Sequence, residues 1–183
     1  MSARAAWRLE ETLGFDWVYR YTGEVDWLAA GLPREGEIAA VPRIGDAADR
    51  DVPSCGTAER VGEVRRRLEQ DGQDLCVVLG QRRVVLGRVS ATDLEANPDA
   101  AVEDVMDPGP VTYRPDTLLA ELVEHLQQLP RSKANRILVT TSDGELIGLL
   151  RRADAERILK ELHAQHADHA EHDRDADQAR PRR

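Results

Sequence analysis

The sequence predicts a mixed α/β (α+β) fold in which one unit, strand–helix–strand–strand–helix, occurs twice between residues 50 and 160. Two observations lead to this prediction. The segment Leu75–Leu94 aligns without gaps on Arg136–Ala155, 61 positions later, and brings apolar runs, a glycine and an aspartate into coincidence. Before each of these segments, apolar residues recur with the spacing of a helix face. Self-similarity at a fixed period is typical of stacked structural units.

Each element of the unit has its own pattern. The helices are predicted from apolar residues at i, i+3 and i+7. These residues are Val61, Val64 and Leu68 in the first copy and Leu119, Leu122 and Leu126 in the second. The strands are short apolar runs without polar alternation, which is typical of strands covered on both faces. Ser142-Asp143-Gly144 predicts a hairpin between the last two strands of the second copy.

The flanks of the repeats differ from them in composition. We predict four regions, which are an aromatic-rich helical segment (1–48), two repeats (49–108 and 109–162) and a polar tail (163–183). Six of the seven aromatic residues lie in the first 27 positions, so we expect this segment to pack on the repeats or on a partner. The tail has a histidine at every third position from 163 to 172 and no apolar face, which predicts a frayed or disordered end. Because that spacing drifts around a helix, the four histidines do not converge on one ion, and we predict no metal site.

Composition excludes several classes of function. The net charge of −9 argues against nucleic acid as a partner, since phosphate binding needs a basic face. No apolar run approaches the ~18 residues of a membrane span and the first residues do not form a signal peptide, so we expect a cytoplasmic protein without a membrane partner. Cys55 and Cys76 are too few for a disulfide scaffold or a four-thiolate zinc site. We find no nucleophile–base pair and predict no catalytic residues and no enzyme.

Each copy ends on a glycine that is followed six residues later by an aspartate. The first copy has Gly87-Arg88-Val89-Ser90-Ala91-Thr92-Asp93, and the second has Gly148-Leu149-Leu150-Arg151-Arg152-Ala153-Asp154. Glycine permits close approach, a hydroxyl donates to a phosphate or ribose oxygen, and a carboxylate accepts from ribose hydroxyls. Alternatively, the serine and aspartate only cap the start of a helix. In the second copy Arg151 replaces the hydroxyl and either binds phosphate or fills the pocket, so we favour the first copy as the binding site.

These motifs, together with Val105–Thr112, the amphipathic helix after it and the apolar run Ile137-Leu138-Val139, resemble the CBS domain, and their tandem occurrence resembles a CBS pair. The resemblance implies two βαββα repeats packed through their sheets as a pseudo-two-fold pair. It also implies a homodimer and a cleft for an adenosine-type nucleotide (AMP, ADP, ATP or S-adenosylmethionine) as regulatory ligand, with no other cofactor. The nucleotide-binding residues predicted on this basis are Gly87, Val89, Ser90, Asp93, Thr112, Arg151 and Asp154.

A second resemblance concerns the N-terminal segment. In Trp17–Pro33 a glycine precedes a Trp-bearing helix that ends in Ala-Gly-Leu-Pro, and this pattern resembles the closing segment of a rhodanese domain. Rhodanese chemistry needs a nucleophilic cysteine, and none precedes Cys55. We therefore expect a packing helix and no sulfurtransferase.

The predicted function is a regulatory nucleotide-binding module that signals its ligand state to a separate effector protein or through its own dimer. The alternative is a ligand-free interaction scaffold built on the same repeats. Adenine nucleotides would raise the melting temperature of the first and leave the second unchanged, because a ligand that binds only the folded state stabilises it.

Overall fold

The computed structural model describes residues 24–33, 36, 41–95, 97–130 and 135–164. In chain order its helices are α1 (Glu24–Ala29), α2 (Ile44–Ala47), α3 (Val61–Gln70), α4 (Leu119–Gln127) and α5 (152–164). Its strands are β1 (Ser54–Gly56), β2 (Leu75–Leu79), β3 (Val85–Ser90), β4 (Asp107–Pro108), β5 (Thr112–Tyr113), β6 (Arg136–Thr140) and β7 (Leu146–Arg151). None of the described helices is long and apolar enough to cross a bilayer.

The strands form two sheets with the same local pairing. In the first, β1 runs parallel to β2, and β2–β3 and β3–β4 are antiparallel. In the second, β5 is parallel to β6 and β6 is antiparallel to β7. The register is also repeated, since Leu75 pairs with Ser90 and Arg136 with Arg151. The predicted mixed α/β fold of two packed repeats is confirmed.

Each repeat has its own apolar core beneath one amphipathic helix. In the first repeat, α3 buries Val61, Val64 and Leu68 against β2 and β3. In the second, α4 buries the residues at the equivalent positions against β6 and β7. The apolar spacing that predicted these two helices therefore marks the faces that they bury.

A short segment before the first strand of each sheet packs in the core under the other sheet. Ile44 in α2 precedes the first repeat but is fully buried in the core of the second, and Val102 is buried in the core of the first. Equivalent backbone hydrogen bonds hold the two segments, from Ile44 N to Thr117 O at 3.0 Å and from Val102 N to Glu59 O at 3.0 Å. The predicted boundaries at 48, 108 and 162 stay predictions, and the fold adds that residues 43–49 pack on the second repeat.

The two sheets meet across a pseudo-two-fold relation. Val77 of β2 and Leu138 of β6 occupy equivalent positions and lie together, with Leu146, in a buried cluster between the repeats. An isolated bridge joins Val84 to Glu145, which are also equivalent, and Arg82 forms an ion pair with Glu145 at 2.9 Å. Contact between equivalent positions is what a two-fold relation requires.

The last helix predicted for the first repeat is not an α-helix. The chain after β3 makes only a short 3₁₀ turn at Asp93–Glu95, whereas the second repeat continues into α5. The reason is Pro98, which disfavours helical backbone in the residue before it. The side chain of Asn97 also accepts a hydrogen bond from the Asp99 amide at 3.1 Å, an Asx turn that redirects the chain.

The described part of the N-terminal segment is a helix that packs on the repeat pair. After α1 the chain turns at Gly31, whose φ of +68° suits a glycine, and Trp27 Nε1 donates to the carbonyl of Pro33 at 2.8 Å. Leu28 is buried, and Ala29 packs against the core of the second repeat. Most of the aromatic residues and the tail beyond residue 164 lie outside the described residues.

Candidate ligand-binding site

The two motif glycines lie where a connecting segment crosses the last strand of a repeat. A Cβ added at Gly148 would lie 2.5 Å from the carbonyl oxygen of Asp49, and one at Gly87 would lie 2.7 Å from Met106 Sδ. Next to Gly148, the amide and carbonyl of Leu149 exchange hydrogen bonds of 2.8 and 2.9 Å with Asp49. The close approach expected of these glycines is present, and the group that approaches is the protein's own chain.

In the first copy the motif closes on itself. The Asp93 carboxylate accepts hydrogen bonds from the Ser90 amide at 2.7 Å and from the Ser90 hydroxyl at 2.6 Å. The Ser90 hydroxyl also lies 2.9 Å from that of Thr92. Val89 is fully buried in the core of the first repeat. Ser90 and Asp93 do not line either of the two clefts described below, which corresponds to the capping alternative for these residues.

In the second copy the motif opens into a cleft between the repeats. This cleft has a volume of about 330 Å³, and we call it the Asp154 cleft. Asp154 and Arg151 both line it, and Asp154 forms an ion pair with Arg157, one turn further along α5, at 3.3 Å. The lining residues are Ala47, Ala48, Asp49, Asp51, Val52, Pro53, Gln73, Asp74, Leu75, Arg136, Leu149, Leu150, Arg151, Asp154, Arg157 and Ile158.

One ion pair in the wall of the Asp154 cleft joins the two repeats. Arg136, at the start of β6, donates to both carboxylate oxygens of Asp74 at 2.5 Å. The hydrogen bond to Arg136 lowers the pKa of the Asp74 carboxyl below its ordinary value of 3.8, against the opposing effect of its partial burial. The side chain of Arg136 is only 16% exposed, so its guanidinium is held in place inside the wall.

A second cleft, of about 370 Å³, lies on the other side of this wall, and we call it the Tyr113 cleft. The rings of Tyr113 and His125 meet edge to face in it, with centroids 6.4 Å apart. The lining residues are Leu75, Arg88, Pro110, Val111, Tyr113, His125, Leu126, Leu129, Arg136, Ile137 and Leu138. Thr112, half-buried in β5, lines neither cleft. Of the seven predicted site residues, only Arg151 and Asp154 share a cleft.

Sequence reasoning missed Asp74 and Arg157 as residues of this site. Aspartate and arginine at i and i+3 on a helix, as at 154 and 157, form a pattern that marks an ion pair. Asp74 has no comparable pattern, because its partner lies 62 residues away. Arg152, which the sequence placed near the second site, is buried, and it binds Glu156 at 2.8 Å and the carbonyl of Leu129 at 3.2 Å. It therefore has a structural role.

The cysteines and histidines do not form a site in the described part of the chain. Cys55 and Cys76 are buried free thiols in the core of the first repeat. A hydrogen bond between the two thiols, together with burial, raises the pKa of Cys55. Among the described residues, no group of three or more His, Cys, Asp or Glu side chains is arranged to hold a metal ion.

Comparison with known proteins supports the assignment of the fold. The family model of the CBS domain matches residues 102–161. No curated protein matches the sequence. Solved structures of CBS-pair proteins do match it, and three of them have sequence identities of 11%, 21% and 22%. At such identities the similarity shows the fold alone, which is that of a pair of CBS repeats.

These three structures contain adenosine ligands. CBSX2, a CBS-pair protein of Arabidopsis thaliana, is in complex with AMP (22% identity, TM-score 0.56, 66% of this chain and 98% of that one). The cytosolic domain of the Mg²⁺ channel MgtE is in complex with ATP (21%, TM-score 0.57, 66% and 51%). The CBS pair of protein MJ0100 holds 5′-methylthioadenosine and S-adenosylmethionine (11%, TM-score 0.54, 66% and 97%). This chain thus spans about half of the MgtE domain and nearly all of the other two.

Proposed function

We propose that the chain is a regulatory module that binds an adenosine-type nucleotide in the Asp154 cleft. The observation that supports it most is the meeting of the motif carboxylate of Asp154, three guanidinium groups and an apolar slot in one cleft between the two repeats. The AMP, ATP and S-adenosylmethionine in structures of the same fold agree with this class of ligand.

The apolar part of the Asp154 cleft suits an adenine ring. Val52 and Pro53 approach it from the segment before β1, Leu149 from β7 and Ile158 from α5. A cleft of this volume is at the lower end of the range found for sites of small ligands. Because these residues come from both repeats, a bound ring stabilises one arrangement of the repeats, which is the requirement for a signal.

Asp154 is suited to the ribose. Its side chain is 45% exposed and its partner Arg157 is 57% exposed, so their ion pair is weak and open to exchange. A carboxylate accepts hydrogen bonds from two neighbouring hydroxyls, and such charge-assisted bonds are stronger than neutral ones. We propose that ribose hydroxyls replace Arg157 at Asp154, and that Arg157 then turns toward the phosphate.

The charge of the cleft favours a ligand with few negative charges. Its described lining has the guanidinium groups of Arg136, Arg151 and Arg157 and four carboxylates, those of Asp49, Asp51, Asp74 and Asp154. A triphosphate would place about four negative charges among these carboxylates, and like charges repel. We propose that AMP or the sulfonium S-adenosylmethionine binds more tightly than ATP.

Thermal denaturation of the full chain with AMP, ATP and S-adenosylmethionine tests the proposal. We expect AMP or S-adenosylmethionine to raise the melting temperature, and a ligand at about 100 times its Kd to stabilise by about 2.7 kcal/mol. Asp154→Asn keeps the shape of the side chain and removes its charge, so it should abolish the shift. The matched control is Asp93→Asn in the first copy.

The control also tests the sequence-based preference for the first copy, which stays a prediction. We expect Asp93→Asn to lower the melting temperature of the free protein, because Asp93 loses its charge-assisted bonds to Ser90, while the ligand shift remains. Loss of the shift with Asp93→Asn and not with Asp154→Asn would move the site to the first copy. If no nucleotide changes the melting temperature, the ligand-free scaffold is the better description. The homodimer, the effector protein and the cytoplasmic location belong to the same proposal and need separate measurements.

A further inference from the structure

The Tyr113 cleft has the volume of a ligand site but lacks the groups that the proposed nucleotide site has. No acidic side chain is among the described residues that line it. Asp93, the carboxylate of the first motif, is bound to Ser90 and does not line this cleft. The described lining therefore has nothing comparable to Asp154 to accept hydrogen bonds from a ribose.

The walls of the Tyr113 cleft are mostly apolar. Pro110 and Val111 lie on one side, Leu126 and Leu129 come from the α4 side, and Leu138 comes from β6. Val111 is 76% exposed and adds accessible apolar surface to the cleft. Tyr113 and His125, in edge-to-face contact, add aromatic surface for a flat molecule.

Two guanidinium groups supply positive charge to this apolar cleft. Arg88 binds Asp107 through Nε and Nη2 at 2.9 Å, and Arg136 binds Asp74 through Nη2. Both carboxylates are largely exposed to solvent, with 55% and 67% of their side chains accessible. Neither of these ion pairs uses the Nη1 atom of its arginine. A ligand carboxylate that enters from the apolar side accepts a charge-assisted hydrogen bond from Nη1, and in the apolar cleft less water competes for that bond.

We propose that the Tyr113 cleft binds a small apolar carboxylate, of the size of an aromatic acid and without a sugar. The chain then has two clefts for two classes of ligand on the two sides of one wall, which Leu75 and Arg136 share. This site does not depend on the nucleotide proposal, because its residues other than the shared wall are distinct from those of the Asp154 cleft.

Isothermal titration of the full chain with 1-naphthoate tests the proposal, with the uncharged 1-naphthalenemethanol as the comparison ligand. We expect saturable binding of naphthoate with a Kd below about 1 mM and weaker binding of the alcohol. Arg88→Gln should raise the Kd of naphthoate about tenfold, because it removes the charged donor. The matched control is Arg157→Gln, which removes an exposed, ion-paired arginine from the other cleft and should leave this Kd within about twofold.

Four results would overturn the proposal. They are no saturable binding of naphthoate, equal binding of the acid and the alcohol, an equal loss of affinity in the two variants, and loss of naphthoate binding in Asp154→Asn. Circular dichroism of Arg88→Gln shows whether the variant is folded. Naphthoate binding that persists in Asp154→Asn supports a separate site, and its loss in that variant contradicts it. The nucleotide proposal fails if AMP does not change the melting temperature, and that result does not affect the naphthoate measurements.

Discussion

After β3 of the first repeat the chain makes a closed turn, whereas after β7 of the second it enters a helix and leaves its motif carboxylate beside a cleft. The short hydroxyl of Ser90 reaches the carboxylate three residues later and binds it. Arg151 at the equivalent position has no such hydroxyl, and Asp154 instead pairs with Arg157 on α5. The two repeats thus differ at one position, Ser90 or Arg151, and the motif carboxylates differ with it. Asp93 is hydrogen-bonded within its own turn, whereas Asp154 lines a cleft.

In the wall between the clefts, too, the two repeats have different side chains at equivalent positions. Arg136 of the second repeat corresponds to Leu75 of the first, and Asp74 corresponds to Asn135. The ion pair that joins the repeats therefore has no counterpart on the other side of the pseudo-two-fold axis, because leucine and asparagine carry no charge. Two repeats with one backbone pattern enclose clefts of different charge, because the side chains at equivalent positions differ.

The largest effect is expected where one repeat depends on a segment that precedes the other. Ile44→Ala removes a fully buried side chain from the core of the second repeat and should cost about 2–5 kcal/mol in the free energy of unfolding. Urea denaturation measures the loss, and hydrogen exchange locates it. We expect α4 and β6 to lose protection first. Val102→Ala, the matched variant, should instead lower the protection of α3 and β2. A loss of protection in the first repeat with Ile44→Ala would contradict the packing of Ile44 in the second core.

A smaller and unequal effect is expected at the two motif glycines. Gly148→Ala pushes a methyl group against the backbone of Asp49 and should cost about 1–3 kcal/mol. At Gly87 the nearest atom is Met106 Sδ, in a flexible side chain, and the nearest backbone atom is the carbonyl oxygen of Asp107 at 3.0 Å. Because the backbone is further away than at Gly148, Gly87→Ala should cost less. Thermal or urea denaturation measures both. Gly56→Ala is the control, since its Cβ would meet only Glu59 Oε1 at 3.8 Å, and equal values for the three variants would contradict the close approach.

The smallest effect on stability is expected for the ion pair between Asp74 and Arg136, which has no equivalent at the symmetry-related positions. Because the pKa of Asp74 in the folded state lies below 3.8, the pair stabilises the protein above that pH, and this stability is lost as the pH falls through the folded pKa. Asp74→Asn should therefore cost about 0.2–1 kcal/mol near neutral pH and little at the acid end of the transition. Melting temperatures across the acid range up to neutral pH measure the difference (on the order of a few degrees at most). In an Arg136→Leu background Asp74→Asn should have no further effect, and an equal effect in both backgrounds would show that the pair is not formed.

The sequence predicted the fold well where residues repeat with a period. The apolar spacing of α3 and α4 and the runs of β2 and β6 marked these elements in both copies, because buried faces impose a period on the sequence. The contribution of Ile44 to the second core was not predictable, since Ile44 does not belong to an apolar run with a helix or strand period. The missing last helix of the first repeat has a local cause in Asn97-Pro98, but this dipeptide alone does not show how much of the helix is lost.

The candidate site was predictable only in part. Glycine and aspartate at fixed spacing located the ends of β3 and β7, but spacing does not determine whether Asp93 or Asp154 faces a cleft. That depends on whether a neighbouring hydroxyl binds the carboxylate first. Asp74 joins the site through a tertiary contact with Arg136, and pairs so distant in sequence leave no pattern in one chain.

Hydrogen exchange of the full chain with and without AMP or S-adenosylmethionine tests most directly whether the second motif forms the nucleotide site. We predict that the ligand slows exchange in residues 47–53 and 149–158, which line the Asp154 cleft, and leaves residues 87–95 and 107–113 unchanged. Protection confined to residues 87–95 and 107–113, around the first motif, would contradict this prediction.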